Sequence, residues 1–180
     1  ITSDDFEKMK KTFLVSLKQK NKNDKSLSYS WGVTRTRIRV LSNYLKGIIS
    51  KGDRCILLSE NRPEWLISDL AIMNAGGITV PLFTTYSEKD YEYIIRDCKP
   101  KICIVSNSIQ FKKIEKFISN ETKVLSIENF NDEIESIQNI LERYSKKEMT
   151  SVPLDYNQEI RRNDLACIIY TSGTTGNPKG

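Results

Sequence analysis

The last eleven residues of the chain, Tyr170-Thr171-Ser172-Gly173-Thr174-Thr175-Gly176-Asn177-Pro178-Lys179-Gly180, are the ones best suited to chemistry. They combine three glycines and four serine or threonine hydroxyls with a lysine near the far end. Gly173 and Gly176 let backbone N–H groups approach an anion closely and permit positive φ. Thr171, Ser172, Thr174 and Thr175 add hydroxyl donors. Lys179 adds a mobile point charge suited to a terminal phosphate. Ordinary surface loops use the same residue types. Two features favour a polyphosphate site instead: an apolar run, Leu165 to Tyr170, leads directly into the loop, and the lysine closes it. Ligands of open α/β sheets bind outside the carboxyl ends of strands, where such a loop would stand. The segment matches neither G-x-x-x-x-G-K-S/T nor G-x-G-x-x-G.

The elements that must hold this loop show in the hydrophobic periodicity. Phe6, Met9, Phe13 and Leu17 share one face of a helix predicted over Asp4 to Gln19. Leu27 to Ser30 reads as a short strand. Val33 to Ser50 reads as an amphipathic helix through Ile38, Leu41, Leu45 and Ile48, with Gly52 as a left-handed residue beyond it. Arg54 to Ser59 is a buried strand by its length and flanks. Asn61 and Pro63 signal a helix start, and that helix ends at Gly76-Gly77. Ile78 to Leu82 is the next strand. Ser87 and Asp90 resemble a capping box for a helix that stops before Pro100. Strands follow at Ile102–Val105 and Lys123–Ile127, with helices at Asn107–Ile118 and Asn131–Tyr144. Ser145 to Asp164 reads as a surface connection, and Leu165 to Tyr170 as a final strand. The alternation predicts an α/β fold with a mainly parallel sheet.

Composition narrows the chemistry further. No histidine is present, so no histidine can act as base, nucleophile or metal ligand in these 180 residues. Cys55, Cys98, Cys103 and Cys167 form no C-x-x-C pair and read as small buried hydrophobes of a reducing compartment. The net charge of +5 is spread among acidic residues, with no basic stripe carrying stacking aromatics, which argues against nucleic acid. No apolar stretch reaches the ~20 residues of a membrane span, and the charged first twenty residues do not read as a signal peptide. Asn61, Arg62 and Glu64 read as helix capping and helix-end electrostatics, Trp65 as core, and Tyr170 as strand-end packing.

Tyr170 to Gly180 resembles the signature loop of the AMP-forming ligase superfamily, which includes acyl-CoA synthetases, luciferases and peptide-synthetase adenylation domains. Gly52-Asp53-Arg54, Ser59 to Trp65, Ala75-Gly76-Gly77 and Val80-Pro81-Leu82 are similar in order and spacing to long-chain fatty acyl-CoA synthetases, as is Asp164 to Cys167. The resemblance covers about residues 28–180. It implies that 1–180 is the N-terminal portion of a large adenylation domain, with a C-terminal lid domain and the rest of the active site lying outside it. It implies ATP, Mg2+ and coenzyme A as reactants or cofactors and a fatty acid as substrate. A carboxylate attacks the α-phosphate, and the coenzyme A thiol then displaces AMP. In that scheme Thr171, Ser172, Gly173, Thr174, Thr175, Gly176 and Lys179 bind the nucleotide, Lys179 neutralises the leaving pyrophosphate, and Thr171 contacts magnesium. The 180 residues alone are expected to be inactive. The resemblance points to the cytoplasm and leaves room for peripheral membrane association and a homodimer. Two alternatives stay open: an adenylating ligase for another acid or a carrier-protein thiol, and a non-catalytic nucleotide-binding module.

Overall fold

The computed structural model describes residues 3–15, 28–143, 160–172 and 178–180. Helix α1, Ser3–Lys10, is followed by strand β1, Thr12–Val15, which pairs antiparallel with β2, Ser28–Ser30. The helix predicted through Gln19 therefore ends early. Thr-Phe-Leu-Val suits a strand better than a helix, and Phe13 leaves the helical face to stack on Trp31, with ring centroids 3.5 Å apart. Leu17 and Gln19 lie outside the described residues.

Ser30 accepts a hydrogen bond from the Val33 N–H at 3.2 Å and so caps α2, Trp31–Lys46. That helix stops four residues before the predicted end. Gly52 is left-handed, with φ 87°, but it lies in a separate turn that Asp53 closes by accepting from the Ser50 N–H. Strand β3, Arg54–Leu58, follows. Helix α3, Pro63–Asn74, has proline in its first turn, where the missing N–H costs nothing. Asn61 does not cap it. Arg62 holds the N-cap position without a side-chain capping bond, because a guanidinium has only donors and the first-turn N–H groups need an acceptor.

Strand β4, Ile78–Leu82, and β5, Ile102–Val105, match the predicted bounds. Between them lies α4, Glu88–Cys98, with the Ser87/Asp90 capping box formed in both directions and Lys99 left-handed at its end. Helix α5, Ser108–Ile114, is capped by Asn107 and tightens into a 3-10 turn at Glu115–Phe117. After β6, Lys123–Ser126, the helix predicted from Asn131 is split. Glu135–Ser136 forms a short strand, β7, and only Ile137–Arg143 is helical, as α6. Ser136 accepts from the Asn139 N–H and starts the helix there. Glu135 is held by Tyr44 and Arg143. Tyr144 lies outside the described residues, as does 145–159 of the predicted connection.

The five strands form one parallel sheet in the order β4-β3-β5-β6-β7. Alternate residues bury opposite faces. Cys55, Leu57, Ile102, Ile104 and Leu125 join a core with residues of α2, α3 and α6. Ile56, Leu58, Cys103 and Val105 join the other core with α4 and α5. The sheet is thus covered on both faces, as the unbroken apolar runs of its strands require. Trp65 packs, half-buried, against the first core.

The predicted last strand, Leu165 to Tyr170, is not a full strand. It lies parallel beside the free edge of β4 and makes a single bridge, Thr79 with Cys167. The Thr79 N–H donates to Ala166 at 3.0 Å and the Ile168 N–H to Thr79 at 2.9 Å. The Ile78 N–H faces β3, where it donates to Asp53. The next outward-facing position after Thr79 is therefore Pro81, which has no N–H, and the ladder stops. Cys55, Cys98 and Cys103 are buried as expected, whereas Cys167 is exposed on this edge segment.

Candidate functional site

Because the 165–170 segment runs parallel to β4, it delivers its chain to the carboxyl side of the sheet. There Thr171–Ser172, strand β8, pairs antiparallel with Pro178–Lys179, strand β9. The register sets Thr171 opposite Lys179 and Ser172 opposite Pro178. The two ends of the glycine- and hydroxyl-rich stretch are thereby brought together. The Thr171 and Lys179 side chains are both exposed, placing a hydroxyl beside an ammonium at one mouth. Gly173, Thr174, Thr175 and Gly176, together with the Ser172 side chain, lie outside the described residues.

The base of this strand pair is tied down. Tyr170 is buried, and its hydroxyl donates to the Asp97 carboxylate at 2.5 Å. Tyr86 donates to the Tyr170 carbonyl at 2.9 Å. Tyr86 lies edge-on to Phe83 and Tyr91, and Tyr91 donates to the Phe83 carbonyl at 2.8 Å. Burial pushes the Tyr91 phenol up to about 12, and burial, then the Asp97 carboxylate, raises Tyr170 further, so both hydroxyls remain donors near neutrality. Pro178 is buried. A side chain at Gly180 would stand 2.8 Å from the Tyr170 ring and 2.8 Å from Ile168, so the close return of the chain needs a glycine. The sequence reading of Tyr170 as strand-end packing covers only its ring; its hydroxyl anchor to Asp97, 73 residues earlier in the chain, has no local signal.

A second polar group lies at the carboxyl ends of β3, β5 and β6. Arg62 donates to Glu64 at 2.8 Å and to Glu128 at 2.6 Å, while Tyr29 donates to Glu64 at 2.8 Å. The Arg37 guanidinium sits 4.3 Å from the Tyr29 ring centroid. These residues line a groove of about 450 Å³ together with Leu141 and Glu142. Burial opposes the charge on Glu64, but the bonds from Arg62 and Tyr29 outweigh it and keep the carboxyl below its usual range. Arg62 and Glu64 therefore act as a tie between α3 and the end of β6, beyond the helix-end electrostatics read from sequence.

Beside it, Gln110 donates to Glu60 at 2.9 Å. Burial alone would raise the Glu60 carboxyl. The polar neighbours Ser106, Gln110 and Asn107, with its own backbone N–H, together outweigh burial and hold it at about 2 against an ordinary 4.5. A carboxylate depressed in the folded state stabilises it above the unfolded value. The Glu60 contribution should therefore be complete above about pH 4.5 and fade as pH falls toward 2. Glu60→Gln should flatten the dependence of the urea midpoint on pH in that window, and an unchanged acid limb would contradict the assignment.

A family model described as AMP-binding enzyme matches residues 6–180. The chain belongs to the AMP-binding enzyme family. It is 26% identical over 174 residues to the long-chain-fatty-acid–CoA ligase ACSBG1 of Rattus norvegicus, which covers 92% of this chain and 24% of that protein. It is 30% identical over 138 residues to the long-chain-fatty-acid–CoA ligase FadD15 of Mycobacterium tuberculosis, covering 73% of this chain and 22% of that protein. The chain thus spans about a quarter of the length of these curated relatives. Two solved structures share the fold. The anthranilate CoA ligase AuaEII, in complex with anthranoyl-AMP, superposes with TM-score 0.70 at 24% identity over 84% of this chain and 29% of its own. A red-emitting luciferase from Phrixothrix hirtus gives 0.72 at 21% over 86% and 30%. The adenylate-forming architecture expected from the sequence is the one observed. In this AMP-binding family member, the β8–β9 pair is where Thr171 and Lys179, the two described ends of the predicted phosphate loop, come together.

Proposed function

We propose that the protein containing this chain activates a carboxylic acid with ATP, forming an acyl-adenylate, and passes the acyl group to the thiol of coenzyme A. The acid is a long-chain fatty acid. A carboxylate oxygen bonds to the α-phosphorus as the bond to the β-phosphate breaks and pyrophosphate leaves. The thiol sulfur then bonds to the acyl carbon, the bond to the AMP oxygen breaks, and the thiol proton is lost. The observation that carries this reading is the register of β8 and β9, which sets the Thr171 hydroxyl and Lys179 ammonium side by side on the carboxyl side of the sheet.

The roles of the chain's own residues follow from charge. Lys179 pairs with the β- and γ-phosphates and offsets the negative charge that gathers on the departing pyrophosphate. By residue type, Ser172, Gly173, Thr174, Thr175 and Gly176 suit further contacts with the same oxygens. A lone hydroxyl suits magnesium only as one oxygen among waters and phosphates, and the exposed Thr171 fits that role. Among the described residues no cluster of three or more acidic or cysteine side chains could hold a metal by itself. When bound, magnesium would supply charge neutralisation at the phosphates. The named relatives support both the fatty acid and the coenzyme A acceptor. The cytoplasmic location, the peripheral membrane contact and the homodimer belong to the same proposal.

The test is acid-dependent ATP–pyrophosphate exchange by the intact protein with magnesium. Exchange should appear on adding a long-chain fatty acid and coenzyme A should convert the product to thioester. An intact protein that neither binds ATP nor exchanges pyrophosphate with any acid would overturn the reading.

A further inference from the structure

Tyr170 is joined to three separate parts of the fold. Its hydroxyl reaches Asp97 in the last turn of α4. Its carbonyl accepts from Tyr86, at the turn after β4. Its ring lies against Gly180, ten positions further along the chain, at a distance that excludes a Cβ. Helix α4 is a firm support for the first of these bonds. It starts at the Ser87/Asp90 capping box, and Tyr91, Ile94, Ile95 and Cys98 are buried along its length. The strand pair β8–β9 stands directly on this junction, with Thr171 covalently next to Tyr170 and Lys179 next to Gly180.

We propose that Tyr170 is a positioning residue for the phosphate-gripping loop, clamping both of its ends to α4 through the hydroxyl bond to Asp97 and the ring contact with Gly180. The inference rests on the reading of 171–179 as the ATP phosphate loop and adds to it a residue that does not touch the nucleotide. The physical argument concerns the spacing between the loop's two ends. The edge segment behind Tyr170 has only two backbone bonds to β4. Those bonds alone leave the chain free to pivot about Thr79. The Tyr170 hydroxyl and carbonyl bonds add two fixed points just before the loop begins, and the Gly180 contact adds one just after it ends. Thr171 and Lys179 then meet the triphosphate already in register, and less freedom is lost on binding. Without the hydroxyl, the base of the loop keeps its ring packing and the Tyr86 bond but loses its tie to α4, and the added freedom must be lost when ATP binds.

The role predicts a selective defect. In the intact protein, Tyr170→Phe removes the hydroxyl and keeps the ring. The KM for ATP should rise about tenfold, the scale of one hydrogen bond to a charged partner, while the KM values for the acid and for coenzyme A and the thermal midpoint stay near wild type. Asp97→Ala should give the same rise, and the double variant should be no worse than either alone. Asp97→Asn retains an acceptor oxygen and should recover most of the affinity lost in Asp97→Ala. If Tyr170→Phe leaves the KM for ATP unchanged in an enzyme whose wild type exchanges pyrophosphate, the clamp is refuted and the ATP reading survives. Parallel loss of all three KM values and of the thermal midpoint would show a structural role only and equally refute it. A wild type without exchange overturns the ATP reading and the clamp together.

Discussion

Lys179→Ala should lower acid-dependent ATP–pyrophosphate exchange by about 100- to 1,000-fold in the intact protein, the range seen when one donor aimed at developing charge is removed, with little change in the thermal midpoint. Lys179 is exposed on the two-residue strand β9, so removing its side chain uncovers almost no apolar surface. Its ammonium lies across the strand pair from Thr171, at the mouth where the terminal phosphates are proposed to sit. The charge it offsets is greatest as the α–β phosphate bond breaks, so the loss should fall chiefly on turnover. Arginine at this position should recover only part of the rate, because a planar guanidinium does not reproduce a compact charge on a flexible stem. Equal loss of exchange and of stability would show that the lysine serves the fold rather than the phosphates.

The largest stability effect is expected at the centre of the sheet. Leu57 lies on β3 between β4 and β5, with no accessible surface. Leu57→Ala removes methyl groups from the core shared with α2 and α3 and leaves a hole that flanking strands cannot close. The expected cost is roughly 2–5 kcal/mol, read as a fall in the urea midpoint of the transition that reports on this domain. A change below about 1 kcal/mol would mean that the helices relax into the space. The effect on pyrophosphate exchange below the transition should be small, since the loop stands at the sheet's edge and Leu57 at its middle.

Elements whose signals are local were legible in the sequence. Strands β4 and β5 are short, largely apolar runs that begin after Gly77 and Lys101, and their ends match the structure to the residue. Ser87 and Asp90 declare the start of α4 by their own side chains. Where distant partners decide, the reading missed. Thr12–Val15 continues a helical pattern, yet it pairs with Ser28–Ser30 across the chain. Glu135–Ser136 lies inside a helical stripe, yet backbone bonds to β6 draw it into the sheet. Asn61 has the right chemistry for a cap, but the chain places Arg62 there, turned toward Glu64 and Glu128. The site divides in the same way. The loop's glycines, hydroxyls and lysine are contiguous and could be read directly. Its support, Tyr86, Asp97 and Tyr170, is assembled from positions scattered over more than 80 residues, visible only once folded.

Pro81 carries a mechanical consequence. By ending the hydrogen-bonded contact after Thr79, it separates the five-stranded slab from the strip of chain that bears the loop. The strip is joined to the slab by two backbone bonds and by the packing of Ile168 and Tyr170 on the second core, and no rung of the slab passes through it. Load applied by a nucleotide entering or leaving passes first to those two bonds and to Tyr170, which hands it on to α4 through Asp97. A continuous sheet and a separately anchored mount thus stand side by side, divided at one imino acid.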